Sequence, residues 1–334
     1  MRPTVALTRI AVVGPTATGK SELALDLADA LGGGPASSEI LGADASQLYR
    51  GMDVGTAKLP LAERRGYPHH QIDVLDVAQE ASVAAYQRHA RADLAAIEAR
   101  GGRALIVGGS GLYVRAVTDA LDFPGTDPTV RASLEERARA EGARALWEEL
   151  AGADPLSAQR IDEGDTRRIV RALEVLAVTG RPFSATLPRY EDVAPTVHLA
   201  LRPPREALSA RINARAAAMF RPVAGPGIIE ETRGLISAGL REGPTARRAI
   251  GYAQALAVID GGISVEEAVA ATAADTRRLA SRQLKWFRRD PRIHWIDMHL
   301  TPDGAVPDGE RQRVLDVALG LVGAADSGQP QPVA

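Results

Sequence analysis

No cysteine occurs in the 334 residues. That excludes disulfides, thiolate metal sites and a cysteine nucleophile, and it fits a reducing compartment. Net charge is nearly absent too: 40 basic against 42 acidic side chains leave −2, so any nucleic-acid surface has to be a local patch. No apolar run approaches the length of a membrane-spanning helix. The N-terminus reaches Arg9 and then a short apolar stretch, where a secretory signal needs a longer core. These absences predict a cytoplasmic protein with no membrane partner. The length suffices for a full core and for two domains.

The most informative stretch is Arg9 to Leu31. An apolar run, Ile10 to Val13, breaks at Gly14-Pro15-Thr16-Ala17-Thr18-Gly19-Lys20-Ser21, and apolar residues then recur at Leu23, Leu27 and Leu31. This spacing reads as strand, glycine loop and helix. Two glycines allow successive backbone N–H groups to face one point, the helix adds its positive end, Lys20 adds a full charge and Ser21 offers a hydroxyl to Mg²⁺. The loop is therefore expected to bind a di- or triphosphate.

Ser37 to Gly42 reads as a second strand, delivering Asp44-Ala45-Ser46-Gln47 as a polar loop on the rim shared with Lys20. Asp44 is open to two readings there, a turn cap or a working carboxylate. His69, His70 and Asp73 lack a further well-spaced metal ligand and are read as structural or solvent-facing. Ser82 to Arg100 is expected to be a helix with Val83, Leu94 and Ile97 against the core. A third strand, Ala104 to Val107, runs into Gly108-Gly109-Ser110-Gly111, where small residues mark a close approach of backbone. Ordinary P-loop ATPases carry a magnesium-binding aspartate at such a strand end, and its absence here disfavours a routine ATPase.

From Phe123 to about Glu191 the chain is helical, charged and alanine-rich, with no strand candidate. Asp165 caps a helix with the stripe Ile169, Leu173 and Leu176, stopped at Gly180. Arg167, Arg168 and Arg171 lie off that stripe, as a solvated face would. Val197 to Leu201 returns to strand, so the helical block reads as an insertion into a sheet domain. Arg205 to Asp297 is expected to be mostly helix. It ends in a segment, Arg277 to Arg292, with seven basic residues, one acid and an embedded Trp286-Phe287. Basic side chains with interleaved aromatics suit a nucleic-acid surface, while aromatics alone would serve as core anchors. A short amphipathic segment, Arg311 to Val322, and a polar tail follow.

In order, GPTATGKS at Gly14, DASQLYRGMDVGTAK at Asp44, HHQIDVLD at His69, VGGSGLY at Val107, DTRRIVRALEV at Asp165, Arg211 to Met219, AIGYAQ at Ala249 and RQLKWFRRDPR at Arg282 resemble the bacterial tRNA dimethylallyltransferase family. The resemblance implies an α/β fold: a P-loop parallel-sheet core with a mostly helical insertion domain and a helical C-terminal region. Residues 1–122 form the first part of the core, 123–193 the insertion, 194–300 the core continuation with tRNA-binding helices, and 301–334 a short helix and flexible tail.

The implied activity is transfer of a dimethylallyl group from dimethylallyl diphosphate to the exocyclic amine of the adenine 3′-adjacent to the anticodon, position 37, by a monomer. The diphosphate would sit on Gly14 to Ser21 with Mg²⁺ at Ser21. By motif position, the resemblance makes Asp44 the general base, with Lys20 and Arg215 at the diphosphate and Ser110 where the family usually has threonine. It turns the insertion arginines into phosphate contacts. Asp44, Ala45, Ser46, Gln47, Ser110, Arg131, Arg167, Arg168, Ile169, Val170, Arg171, Arg248, Gly251, Tyr252, Arg282, Gln283, Trp286 and Arg288 fall on stretches used against the tRNA anticodon stem-loop.

Four places depart from the family pattern: Ala45 before Ser46, Ala217, Ser281, and a break at Pro222 to Gly227 in an otherwise continuous helix. The competing readings are a P-loop kinase of a small metabolite, a nucleotide-sensing nucleic-acid-binding protein and an adenine-nucleotide isopentenyltransferase.

Overall fold

The computed structural model describes residues 7–121, 123–186, 190–223 and 225–328. Ala224, within the Pro222–Gly227 break, and the final residues of the expected tail lie outside them. The chain divides into two compact units, Met1–Thr118 with Asp192–Ala334, and Asp119–Glu191.

In the first part of the larger unit, β1 (Arg9–Val13), α1 (Lys20–Ala30), β2 (Ser38–Gly42), β3 (His69–His70), α2 (Val83–Ala99), β4 (Arg103–Gly108) and α3 (Gly111–Thr118) follow one another. The smaller unit holds α4 (Pro128–Glu141), α5 (Ala143–Ala153), α6 (Pro155–Ala158) and α7 (Thr166–Thr179). The larger unit resumes with β5 (Thr196–Arg202), α8 (Arg205–Phe220), α9 (Ile228–Ile236), α10 (Tyr252–Ile259), α11 (Val265–Phe287), β6 (Ile293–Asp297) and α12 (Glu310–Asp326).

Among the described residues one sheet forms, in the order β3-β2-β4-β1-β5-β6, with every pairing parallel. Ile10 to Val13 are fully buried, as a central strand of a sheet covered on both faces requires. α1 and α12 close one face, where Leu23, Leu27, Val314, Ala318 and Val322 share a core with Ile10, Val12, Leu105 and Leu199. Register then places the loops. Val13 pairs with Gly108 and Gly42 with Val107, so β1, β2 and β4 end level, and the chain leaving each enters the same crevice.

Two strands differ from the sequence reading. His69–His70, read from sequence only as structural or solvent-facing, form a two-residue edge strand, and β6 closes the far edge at the end of a stretch expected to be mostly helix. A two-residue strand carries no period, and the five residues of β6 directly follow the basic helix end, so pattern alone does not separate them. α2 buries Tyr86, Ala90, Leu94 and Ile97, while Val83 is only half-buried. The break after α8 is present: it ends at Phe220 and α9 begins at Ile228.

The smaller unit has helices and no strand among its described residues. Its core gathers Leu134, Leu146, Leu150, Ile161, Ile169, Val170 and Leu173. Leu176 stands only half-buried, its place in the stripe taken by Ala172 and Val175. At its centre the Glu174 carboxylate accepts from Arg131 Nη2 at 2.7 Å, Arg171 Nη1 at 2.8 Å and the Asp127 amide at 3.0 Å. Burial alone would raise this carboxyl, but the Arg171 and Arg131 bonds outweigh it and hold it below its ordinary value.

Candidate active site

The glycine loop turns on residues in the left-handed region, Gly14 at φ 120°, Ala17 at 64° and Gly19 at 90°. Ala17 is the one side chain there, and holding it costs on the order of 1 kcal/mol. Thr18 Oγ1 donates to Pro15 O at 3.0 Å, and Lys20 Nζ folds back to the same carbonyl at 2.7 Å. Burial pulls the Lys20 ammonium down to about 8, the charge of Asp44 opposing and that of Arg215 reinforcing the shift. Ser21 is exposed on the first turn of α1.

Beyond β2, the Ala43 amide donates to Val107 O at 2.8 Å and the Ser110 amide to Ala43 O at 3.3 Å, lacing the Asp44 loop to the turn after β4. The Ser110 hydroxyl accepts from the Ala45 amide at 3.2 Å. Asp44 Oδ1 accepts from the Ser46 amide at 3.0 Å and from Ser46 Oγ at 2.6 Å. The hydroxyl displaced by one position thus still reaches the carboxylate. Oδ1 thus serves as a turn acceptor, while Oδ2 has no donor among the described residues.

Glycines after β4 are there for contact. A Cβ on Gly109 would come within 2.4 Å of Gln283 Nε2, and one on Gly111 within 2.1 Å of the Trp286 indole nitrogen. The close approach expected of the small residues is therefore made by α11. Gln283, only 9% exposed, receives the Thr16 amide on Oε1 at 2.9 Å and gives Nε2 to Gly109 O at 2.9 Å. One side chain of α11 thereby fastens the phosphate loop and the turn after β4 together.

A cavity of about 410 Å³ opens between these loops and helices α8 and α11. Thr16, Asp44, Ser46, Ser110 and Arg215 line it on the polar side; Met219, Ala249, Ile250 and Leu279 supply apolar wall. Arg215 reaches Thr16 Oγ1 at 3.2 Å through Nη1, while its Nε is buried with no partner. Burial draws the guanidinium below its ordinary value, with Asp44 opposing. The Arg215 guanidinium lines the cavity beside the glycine loop, where a positive charge suits an anion. Ala217 does not alter this, because residues two apart on a helix do not face each other.

The residues grouped with tRNA contact separate by burial. Arg167, Arg168, Arg248, Arg282, Trp286 and Arg288 are exposed. Ile169 and Val170 are buried in the smaller unit's core, so their side chains position the neighbouring arginines rather than meet a ligand. Tyr252 is fully buried, its hydroxyl giving to Glu231 Oε1 at 2.5 Å and accepting from the Gly55 amide at 3.2 Å. Gly251 holds φ 93° to start α10 and is buried. Gln47 donates to Thr56 O at 3.1 Å. Of the seven basic residues from Arg277 to Arg292, Arg277 binds Asn213, Arg278 binds Asp275 and Arg292 binds Asp290 and Asp192. Arg282, Lys285, Arg288 and Arg289 make no ion pair with a described residue. Trp286 is 36% exposed and Phe287 2%, so one aromatic faces out and the other anchors the core.

Sequence reasoning passed over Lys58, whose buried ammonium gives to Tyr49 O at 2.6 Å, Asp53 at 2.9 Å and Asp73 at 2.5 Å, pinning the loop that follows Asp44. No spacing announces that cluster. It also passed over Thr272, Thr276 and Leu279, which were legible: they fall on one face of α11 with Gln283 and Trp286.

A family model described as IPP transferase matches residues 47–290. The tRNA dimethylallyltransferase of Kineococcus radiotolerans is 53% identical over 311 residues, 92% of this chain and 95% of that relative. That of Streptomyces coelicolor is 50% identical over 94% of this chain and 95% of its own length. Among solved structures, a tRNA isopentenylpyrophosphate transferase from Bacillus halodurans matches at 33% identity and TM-score 0.66, covering 96% and 97% of the two chains. A eukaryotic dimethylallyltransferase acting on tRNA matches at TM-score 0.79 and 22% identity, covering 97% and 81%, a likeness of fold.

Proposed function

Because the chain belongs to the IPP transferase family, we propose that it transfers a dimethylallyl group from dimethylallyl diphosphate to the exocyclic amine of adenine 37 in tRNA, releasing diphosphate. The observation that carries this reading is the placement of Asp44 on one cavity wall with Thr16 of the glycine loop and Arg215. A proton acceptor and an anion site share a space of substrate size.

The amine is a weak nucleophile, its lone pair delocalised into the ring, so both ends of the new bond need help. At the leaving end, the loop amides, Lys20 and Arg215 stabilise the charge gathering on diphosphate. At the amine, Asp44 Oδ2 accepts the proton while Ser46 fixes the carboxylate through Oδ1. Lys58, Tyr252 and Gln283 position the loops on which these groups ride.

The donor set suits Mg²⁺ held mainly by diphosphate oxygens and water, with the Ser21 hydroxyl from the protein, since no three acidic or histidine side chains converge among the described residues. Such an ion would supply further charge neutralisation to the leaving group. The base must leave its stack to reach the cavity, which suits a single-stranded loop. Exposed Trp286, Arg282 and Arg288 belong to the acceptor side, as do Arg167 and Arg168 of the smaller unit. On this reading the protein acts as a monomer in the cytoplasm. No described helix is long and apolar enough to cross a membrane.

The test incubates the purified protein with labelled dimethylallyl diphosphate and, separately, unmodified tRNA, AMP or ATP. Label on adenine 37 of tRNA alone is expected. Label on AMP or ATP would make it an adenine-nucleotide prenyltransferase, phosphate transfer from ATP would make it a kinase, and no covalent product would leave a binding protein.

A further inference from the structure

One polar cluster in the smaller unit has no part in the chemistry described so far. Glu174 is fully buried, on the side of α7 that carries Val170 and Leu173 into the core. Its Oε2 accepts from Arg131 through Nη2 at 2.7 Å and Nε at 3.3 Å, and from Arg171 through Nη1 at 2.8 Å. Two nitrogens 2.7 and 2.8 Å from one oxygen lie within about 5.5 Å of each other, so a single carboxylate holds two cations side by side. Taking these charges out of water is costly, and apolar side chains in place of a buried ion pair are often neutral or stabilising. Packing alone therefore does not account for a glutamate here.

The two arginines are not used alike. Arg171 is spent within the unit: beyond Glu174, its Nη1 gives to Gly125 O at 3.2 Å and its Nη2 to Pro124 O at 2.6 Å. Glu174 Oε1 takes the Asp127 amide at 3.0 Å. Asp127 in turn caps α4, its Oδ1 accepting from the Thr129 and Val130 amides at 2.8 and 3.1 Å and its carbonyl from the Arg131 amide at 2.9 Å. Glu174 and Arg171 thus fix the segment from Pro124 to Asp127 and, through it, the start of the helix that carries Arg131. Arg131 gives only one edge of its guanidinium to the carboxylate. Its Nη1 makes no hydrogen bond with a described residue, and the side chain is 39% exposed. A guanidinium gripped along one edge offers the other to an oxyanion in a fixed direction.

Resting on the function proposed above, we infer that Glu174 is a positioning residue for the acceptor: it aims Arg131 at a backbone phosphate of the tRNA, with Arg171 as the brace that holds Glu174 and the Pro124 to Asp127 segment in place. Arg131 and Arg171, which the sequence places together against tRNA, are divided by the structure into a contact and a support. Charge sets the sign of the test. Glu174→Gln removes a negative charge, so electrostatics alone would tighten binding to a polyanion. Loss of aim loosens it.

The experiment is filter binding of unmodified tRNA at several salt concentrations, with melting temperatures and prenyl-transfer kinetics measured beside it. Wild type, Arg131→Ala, Arg171→Ala, Glu174→Gln and the double variant Arg131→Ala with Glu174→Gln are compared. Arg131→Ala should weaken tRNA binding about three- to tenfold and lower the salt slope by about 0.7–0.9, as loss of one phosphate contact does. Arg171→Ala should weaken binding with a smaller change of slope. Glu174→Gln should weaken binding about threefold or more despite its gain in positive charge, with the loss on KM for tRNA rather than on kcat or on KM for the prenyl donor. In the double variant it should add nothing to the loss from Arg131→Ala, because its effect passes through that side chain. Binding by Glu174→Gln as tight as wild type, additive losses in the double variant, or an unchanged slope in Arg131→Ala would each overturn this inference. The last of these is read on a partly exposed side chain and decides the matter even where Glu174→Gln does not fold. Binding in the expected pattern with no covalent product from wild type would instead overturn the proposed function and leave the role of Glu174 standing.

Discussion

Replacing Gln283 by leucine tests whether that residue belongs to the RNA surface or to the phosphate loop. The change removes two hydrogen bonds of 2.9 Å, one from the Thr16 amide and one to Gly109 O. Gly109 O is left buried without a donor, a loss of about 1–3 kcal/mol, and the Thr16 amide, reachable by water, adds about 1 kcal/mol. The melting temperature should fall by several degrees. Loosening Thr16 also lets the loop wander from Arg215, which holds the Thr16 hydroxyl at 3.2 Å, so KM for the prenyl donor should rise about tenfold. Affinity for tRNA and its dependence on salt should not change, because the side chain is spent within the protein. Steady-state kinetics in both substrates and filter binding at several salt concentrations make the comparison. Gln283→Glu, which still accepts from Thr16 but sets an anionic oxygen against the buried Gly109 O, should be at least as damaging as Gln283→Leu. Intact donor kinetics with weakened tRNA binding would refute the reasoning and return Gln283 to the RNA.

Asp44→Asn keeps the shape of the side chain but not its basicity. It should bind tRNA near normally and lose about two to four orders of magnitude in single-turnover transfer; near-normal transfer would leave Asp44 a turn acceptor only. Arg282→Ala or Arg288→Ala should weaken tRNA binding and lower its salt slope by about 0.7–0.9 each, with donor binding untouched; an unchanged slope would place the phosphates elsewhere. Stripping Mg²⁺ with a chelator should halt transfer and readdition restore it, and an unaffected rate would remove the ion from the proposed chemistry.

The sheet was largely legible because its central strands are runs of Ile, Val and Leu ending in glycine, a pattern that buried parallel strands impose. The glycine loop was legible because phosphate binding limits the residue types that can sit there. Order within the sheet was not. β1 lies between β4 and β5, far from it in sequence, and only the registers Val13 to Gly108 and Val13 to Ala200 show this. Edge strands were least legible, since β3 is too short to show alternation and β6 is masked by the charge beside it.

A motif groups residues by neighbourhood in sequence, whereas a helix sends neighbours to different faces. That difference explains where the site reading needed the structure. In α7 the run Arg167, Arg168, Ile169, Val170, Arg171 goes out, out, in, in and half out. In α11 Arg282 is exposed and Gln283 buried, with Trp286 exposed at the Gly111 turn and Phe287 in the core. A period of 3.6 converts one contiguous motif into two jobs, contact on one face and support on the other. Charge obeys the same division. Seven basic residues between Arg277 and Arg292 make the segment conspicuous, but Arg277, Arg278 and Arg292 are held by Asn213, Asp275, Asp290 and Asp192. Asn213 carries no charge, so on the proposed function the attraction of this helix for a phosphate backbone would rest on Arg277, Arg282, Lys285, Arg288 and Arg289, and its salt dependence should be that of five cations rather than seven.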